Sequence, residues 1–241
     1  MLAPYGLMFH HFHGGIHKAD NAGSISSRQL DMLLQQVGID NILTPADWIS
    51  AFLVDELEPS HRCLTFDDAL KSQFDIALPV LQKYGLKAFW FICSAPYHGE
   101  YPRLDLFRRF RYHYFETVDN YYHEFFKQFG DFAYLASESF ENWLKAVSTT
   151  FPFYTENDIR YRYLRDVLLS SSEYVELVET MITSKGLSLD DLATNLWLTE
   201  SDLQLLHKEG HILGLHSHDH PTTLSRLNKS LQRDQYAKNS K

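Results

Sequence analysis

The chain has 241 residues, and 44% of them are hydrophobic, enough for a sizeable core and too many for a disordered chain. Its 31 acidic residues outnumber the 22 basic ones, giving a formal charge of −9. An acidic surface argues against nucleic acid or an anionic membrane held by electrostatics, and no apolar run is long enough for a membrane span.

The opening MLAPYGLMFHHF has no basic start and no long apolar stretch, so no secretory leader is expected. Residues 5–12 (YGLMFHHF) read as a buried strand that runs into a polar, Gly-rich loop, HGGIHKADNAG. SRQLDMLLQQ (27–36) reads as a helix, with Leu30, Leu33 and Leu34 on one face and Gly38 just beyond its end. IDNIL (39–43) reads as a short strand, and Asp47 to Leu53 as a short helix. HRCLTF (61–66) is an apolar strand that stops on the pair Asp67-Asp68. A helix follows from Ser72 to Tyr84, with a kink at Pro79 and a stop at Gly85. KAFWFIC (87–93) has no polar face, as a strand covered on both sides should have none.

Strand, helix, strand is a βαβ rhythm, and it is lost between 95 and 198. That stretch reads as a helical insertion, crowded with Tyr and Phe in its first third. Capping boxes are expected at Thr155 and Ser170. Its basic residues, Arg103, Arg108, Arg109 and Arg111 and then Arg160, Arg162 and Arg165, suit solvated helix faces; the sharper reading is an anionic ligand such as a nucleotide-linked sugar. The rhythm returns with a capped helix from Thr199 to Gly210, a strand and loop in HILGLHSHDH, and a polar helix over 226–241. Cys63 and Cys93 each sit in an apolar run, which predicts buried free thiols and a cytoplasmic location.

Two spots carry chemistry. In TFDDA (65–69), adjacent carboxylates at the end of an apolar strand repel each other and are costly to bury. A divalent cation bound by one relieves this and leaves the other as a general base toward water. Taken alone, either Asp can simply cap the next helix. In HSHDH (216–220), His216 and His220 are four residues apart after an apolar strand, a spacing at which two neutral imidazoles can converge on one metal. His11-Phe12-His13 after the first strand is a further candidate pair, of the kind metal-dependent phosphoesterase and amidohydrolase barrels use, but it reads better as loop residues near the site.

TFDDA together with HSxxH resembles the first two motifs of the polysaccharide deacetylase (NodB-like, carbohydrate esterase family 4-type) superfamily. LMFHHF, LPVLQKYGLKAFWFI and LTESDLQLLHKEGHILGLHSHDHP resemble the segments around them, so the likeness covers 1–93 and about 198–225. It implies a distorted (β/α) barrel on 1–94 and 199–241, with 95–198 as the insertion. It implies Asp68, His216 and His220 as metal ligands, Asp67 as catalytic base, Ser217 as the residue that orients the loop, and His10 facing the site; the family's general acid is a His of a later motif, and in its place His10 is the candidate here. The implied metal is Zn²⁺ by ligand type, with Ni, Co, Mn or Fe also suited. The implied reaction removes an N-acetyl group from a sugar, a nucleotide-sugar or a glycan. Three later motifs of the family have no counterpart before Lys241, so a barrel incomplete at its C-terminus, of about five strands, is expected. The alternatives are a metal-dependent phosphoesterase or amidohydrolase of another class, and a non-catalytic metal- and carbohydrate-binding member. The insertion is expected either to bury its rings in its own core or to form a wall of the substrate pocket, with Arg108, Arg109 and Arg111 meeting an anionic group.

Overall fold

The computed structural model describes residues 3–19, 23–221 and 224–240. The middle of the polar loop after the first strand, at 20–22, and the terminal Lys241 lie outside these. The chain divides into two compact units, 1–108 with 193–241, and 109–192.

The first unit holds a sheet of four parallel strands in sequence order: β1 (Tyr5–Phe9), β2 (Arg62–Phe66), β3 (Phe89–Ile92) and β4 (Ile212–Leu215). Between β1 and β2 come α1 (Ser27–Val37) and α2 (Pro45–Leu53). The α1 helix starts at a capping box, in which the Ser26 hydroxyl accepts from Gln29 N–H and the Gln29 side chain answers the Ser26 N–H. Its periodic Leu30 and Leu34 are fully buried. The expected strand over 39–43 is instead a short 3₁₀ turn, Ile39–Asn41. Gly38 turns the chain immediately after α1, so only Ile42 and Leu43 reach β2, through one bridge and one backbone hydrogen bond.

The expected single helix after β2 is continuous over 71–83 but not uniform. A π-helical turn, Gln73–Ala77, leads directly into α3 (Leu78–Lys83), and Pro79 comes just after the π turn. Gly85 follows at φ 66°, the left-handed stop expected there.

Register decides which side of the sheet is covered. Phe9, Phe66, Trp90 and Leu213 form one row across the four strands. The Phe66 and Trp90 rings stack at 4.4 Å, and Leu30, Leu34, Leu81 and Leu206 join the same core. The opposite row is Met8, Thr65, Phe89 and Ile212, where Met8 is 62% exposed and the others are half-buried. Hence β1 is largely exposed and β3 is covered fully on one face only, against the expectation of strands buried throughout. Among the described residues β1 and β4 are free edges, so the expected barrel is an open four-stranded sheet. At Gly214 a Cβ would fall 2.6 Å from the Phe91 ring, which keeps that position small. Cys63 and Cys93 are buried free thiols.

After β3, α4 (Arg103–His113) leads into the second unit, which comprises α5 (Val118–Phe129), α6 (Glu138–Thr150), α7 (Glu156–Tyr163), α8 (Ser171–Ser184) and most of α9 (Leu189–Ala193). Capping boxes open α7 at Thr155 and α8 at Ser170, and a third opens α5 at Thr117. The dense aromatics are the core of this unit: Tyr121, Phe125, Tyr161, Tyr163 and Phe140 are buried, mostly in edge-to-face pairs 5–6 Å apart. The chain returns to the sheet through α10 (Glu200–Lys208), capped by Thr199 and Asp202, and ends in α11 (Lys229–Asn239). No helix among the described residues is long and apolar enough to cross a membrane.

Candidate metal centre

The apolar strand β2 carries its chain into the interior and stops there on two acids. Asp67 N–H still bonds to Phe9 O, and then the backbone turns through the left-handed region at Asp68 (φ 76°) and Ala69 (φ 56°). Such a conformation costs of order 1–3 kcal/mol in a residue other than Gly and persists only where neighbours impose it. One neighbour is Gln73, fully buried, whose amide donates to Asp67 O and to His10 O and so ties the end of β1 to the turn. Neither Asp caps the next helix, which opens at Lys71: Asp67 Oδ1 and both Asp68 oxygens accept no hydrogen bond from its N–H groups.

At the end of β4 the same thing happens. His216 N–H bonds to Ile92 O, and the loop then passes through left-handed Ser217 (φ 78°) and His220 (φ 55°). The two turns bring Asp68 against His216 and His220. Both imidazole Nε2 atoms face Asp68 Oδ1, at 3.3 Å and 3.2 Å, and one ligand atom from each residue lies within 4.8 Å of the others. Asp68 is 1% exposed, and the two imidazoles are the groups that face its carboxylate, in contacts short of well-formed hydrogen bonds. A buried carboxylate calls for a positive partner, and a cation held between it and the two rings would supply one. One carboxylate and two imidazoles are a donor set that Zn²⁺ accepts, so the residues fit a divalent metal.

The electrostatics separate the two acids. Burial works to raise the Asp68 pKa, but the His216 contact and the nearby His220 and His10 outweigh it and hold it at about 2. Asp67 goes the other way: burial raises its pKa, Asp68 adds to that, and His216 and His10 only partly oppose it. His216 is raised chiefly by its contact with Asp68, against desolvation, whereas His220 is lowered chiefly by burial.

The structure therefore brings together Asp67, Asp68, His216 and His220, with His10 Nε2 3.8 Å from Asp67 Oδ2. Ser217 is buried between the two ligand candidates, in the strained turn. Arg108 is pinned by Asp105 at 2.8 Å, and its charge lowers the His220 pKa. Arg109 donates to Leu192 O, and Arg111 lies over the rings of Tyr112, Tyr121 and Tyr161, both within the helical unit. His11 and His13 do not join the ligand group, and His13 pairs with Ser24 instead. Gln73 was not legible in the sequence, because one Gln in a helical pattern carries no signal until its amide is seen to serve two carbonyls.

No family model and no curated protein sequence matches the chain. Solved structures similar to it include the Streptococcus pyogenes deacetylase PplD in complex with acetate, at 16% identity and a TM-score of 0.47. That alignment covers 97% of this chain and 63% of PplD, so the chain spans less than two thirds of the PplD length. IcaB from Ammonifex degensii is similar at 23% identity and a TM-score of 0.31, over 39% of each chain.

Proposed function

We propose that this chain is a metal-dependent hydrolase of the NodB-like polysaccharide deacetylase type, which removes an N-acetyl group from a sugar or glycan. The observation that carries this reading is the convergence of Asp68, His216 and His220, two motifs that stand 148 residues apart (216 − 68), with a second buried acid beside them. Asp68, His216 and His220 would hold the cation, Zn²⁺ by donor set and Ni, Co, Mn or Fe by the same chemistry. When bound, it supplies Lewis acidity toward the acetamide carbonyl and makes water more acidic.

The protein's own residues do the rest. Asp67 is the general base: burial raises its proton affinity, and its buried Oδ1 has no hydrogen-bond partner among the described residues. His10, 3.8 Å from Asp67, is the group best set to carry a proton on to the departing amine. Arg108, held by Asp105, is the arginine suited to meet a polar or anionic part of the substrate.

The test is acetate release from N-acetylated chito-oligosaccharides and from a UDP-linked N-acetylhexosamine, by chain reconstituted with Zn²⁺ or Co²⁺. Elemental analysis of His216→Ala accompanies it. Acetate release by the metal-loaded chain, with most of the metal lost from the variant, is expected. Full metal retention in the variant, or hydrolysis of phosphate esters with no acetate released, would overturn the reading.

A further inference from the structure

Between the two histidines that face Asp68 stands a third, His218, whose surroundings are quite different. It is 2% exposed, and each of its polar groups is engaged. Its N–H donates to Gln235 Oε1 in α11 at 3.0 Å, and its C=O accepts from Ala95 N–H at 2.9 Å. On the ring, Nδ1 meets Ser94 Oγ at 2.9 Å and Nε2 meets Glu100 Oε2 at 3.3 Å. A carboxylate only accepts, so Nε2 carries a proton and donates to Glu100, and Nδ1 shares a hydrogen bond with the Ser94 hydroxyl. Gln235 also accepts from Asp219 N–H at 3.1 Å, and Asn239 of α11 donates to Ile92 O at 2.9 Å, fixing α11 against the end of β3.

The residues on either side explain why so many partners meet here. Ser217 and His220 both have left-handed backbone, and strain of that kind relaxes unless the surroundings over-determine the loop. His218 is where they do, with the segment after β3 on one side and α11 on the other.

We infer that His218 is a positioning residue: with Ser94, Glu100 and Gln235 it clamps the 216–220 loop in the strained form that turns the His216 and His220 rings onto Asp68. The inference rests on the metal-site reading proposed above. A His that merely filled the interior could be exchanged for an apolar side chain of similar size without consequence for the ligands. A clamp could not, because Ser94 and Glu100 would lose the ring that ties them to the loop.

The experiment titrates Co²⁺ into the full chain, reading the visible absorption of the bound ion and its affinity by chelator competition, with thermal unfolding measured alongside. His218→Leu and Gln235→Leu should weaken Co²⁺ binding roughly 10–100-fold, the loss typical when a group that orients a ligand is removed. His218→Asn keeps a polar group facing Ser94, and Gln235→Glu keeps an acceptor for the loop N–H groups; both should recover most of the affinity and the wild-type spectrum. Gln235 is only half-buried, so its pair of variants decides the matter if His218→Leu fails to fold. Leu variants that fold and bind Co²⁺ within twofold of wild type overturn the clamp, as do Asn and Glu variants no better than Leu. Wild-type protein that binds no Co²⁺ at all sinks the metal reading itself, a different result from either.

Discussion

The sheet unit and the helical unit solve the same packing problem by different means. In residues 109–192 local rules are obeyed nearly everywhere. Three helices, α5, α7 and α8, open on capping boxes, and the residues at positive φ are Gly130 and Gly186, where no side chain is strained. The interior is made of aromatic rings. Among the described residues of the sheet unit six other than Gly have positive φ, and four of them, Asp68, Ala69, Ser217 and His220, lie in the two loops that form the candidate metal centre. The same loops bury Asp67, Asp68 and His218. Sequences agree with their fold at every level except where function demands otherwise, so the region that breaks local rules is where chemistry is to be sought. The helical unit, by the same criterion, is built for stability.

The largest effect that would break this contrast is at Asp67. Asp67→Asn should leave metal content unchanged and lower deacetylation by about 10²–10⁴-fold, the usual contribution of a general base. An Asn variant of undiminished activity would remove Asp67 from the chemistry and leave its burial unexplained. Next comes the helical core. Phe125 is fully buried among Tyr121, Tyr161 and Tyr174, and Phe125→Ala should destabilise the protein by about 3–5 kcal/mol. Co²⁺ affinity should stay within about twofold at temperatures where the variant is folded; a large loss there would show that the two units are not energetically separate.

The smallest effect concerns pH and belongs to the sheet unit. His211 is buried, and its Nδ1 accepts from Ala88 N–H and from the Trp90 indole. Burial, helped by Lys87 and opposed by Glu209, pushes its pKa down to about 4. The unfolded chain takes up this proton near pH 6.5 and the folded one only near 4, so between these values the unfolded state binds more protons. The contribution is complete above pH 6.5 and is lost as pH falls toward 4, by up to about 3 kcal/mol. His211→Gln, whose amide oxygen can still accept, should therefore lose less stability than wild type between pH 7 and pH 4.5 in urea titrations. Equal losses would mean that another group governs the acid limb.

What could be read from the linear chain was whatever depends on near neighbours. The caps at Thr155, Ser170 and Thr199, the buried face of Leu30 and Leu34, and the stop at Gly85 rest on contacts within one or two turns. So do the acids ending one strand and the histidines following another, since residue type and spacing state the chemistry available. Contacts across long separations were not legible. Nothing local says that the second face of β3 is left half-open, that 39–43 turns where a strand was expected, or that Gln73 serves two carbonyls from distant segments. Least of all does it say that His218 has its four polar groups fixed by Ser94, Ala95, Glu100 and Gln235. A side chain's type is set by the sequence, but whether its hydrogen bonds are satisfied depends on which remote segment the fold carries to within 3 Å of it, and that only the tertiary structure decided.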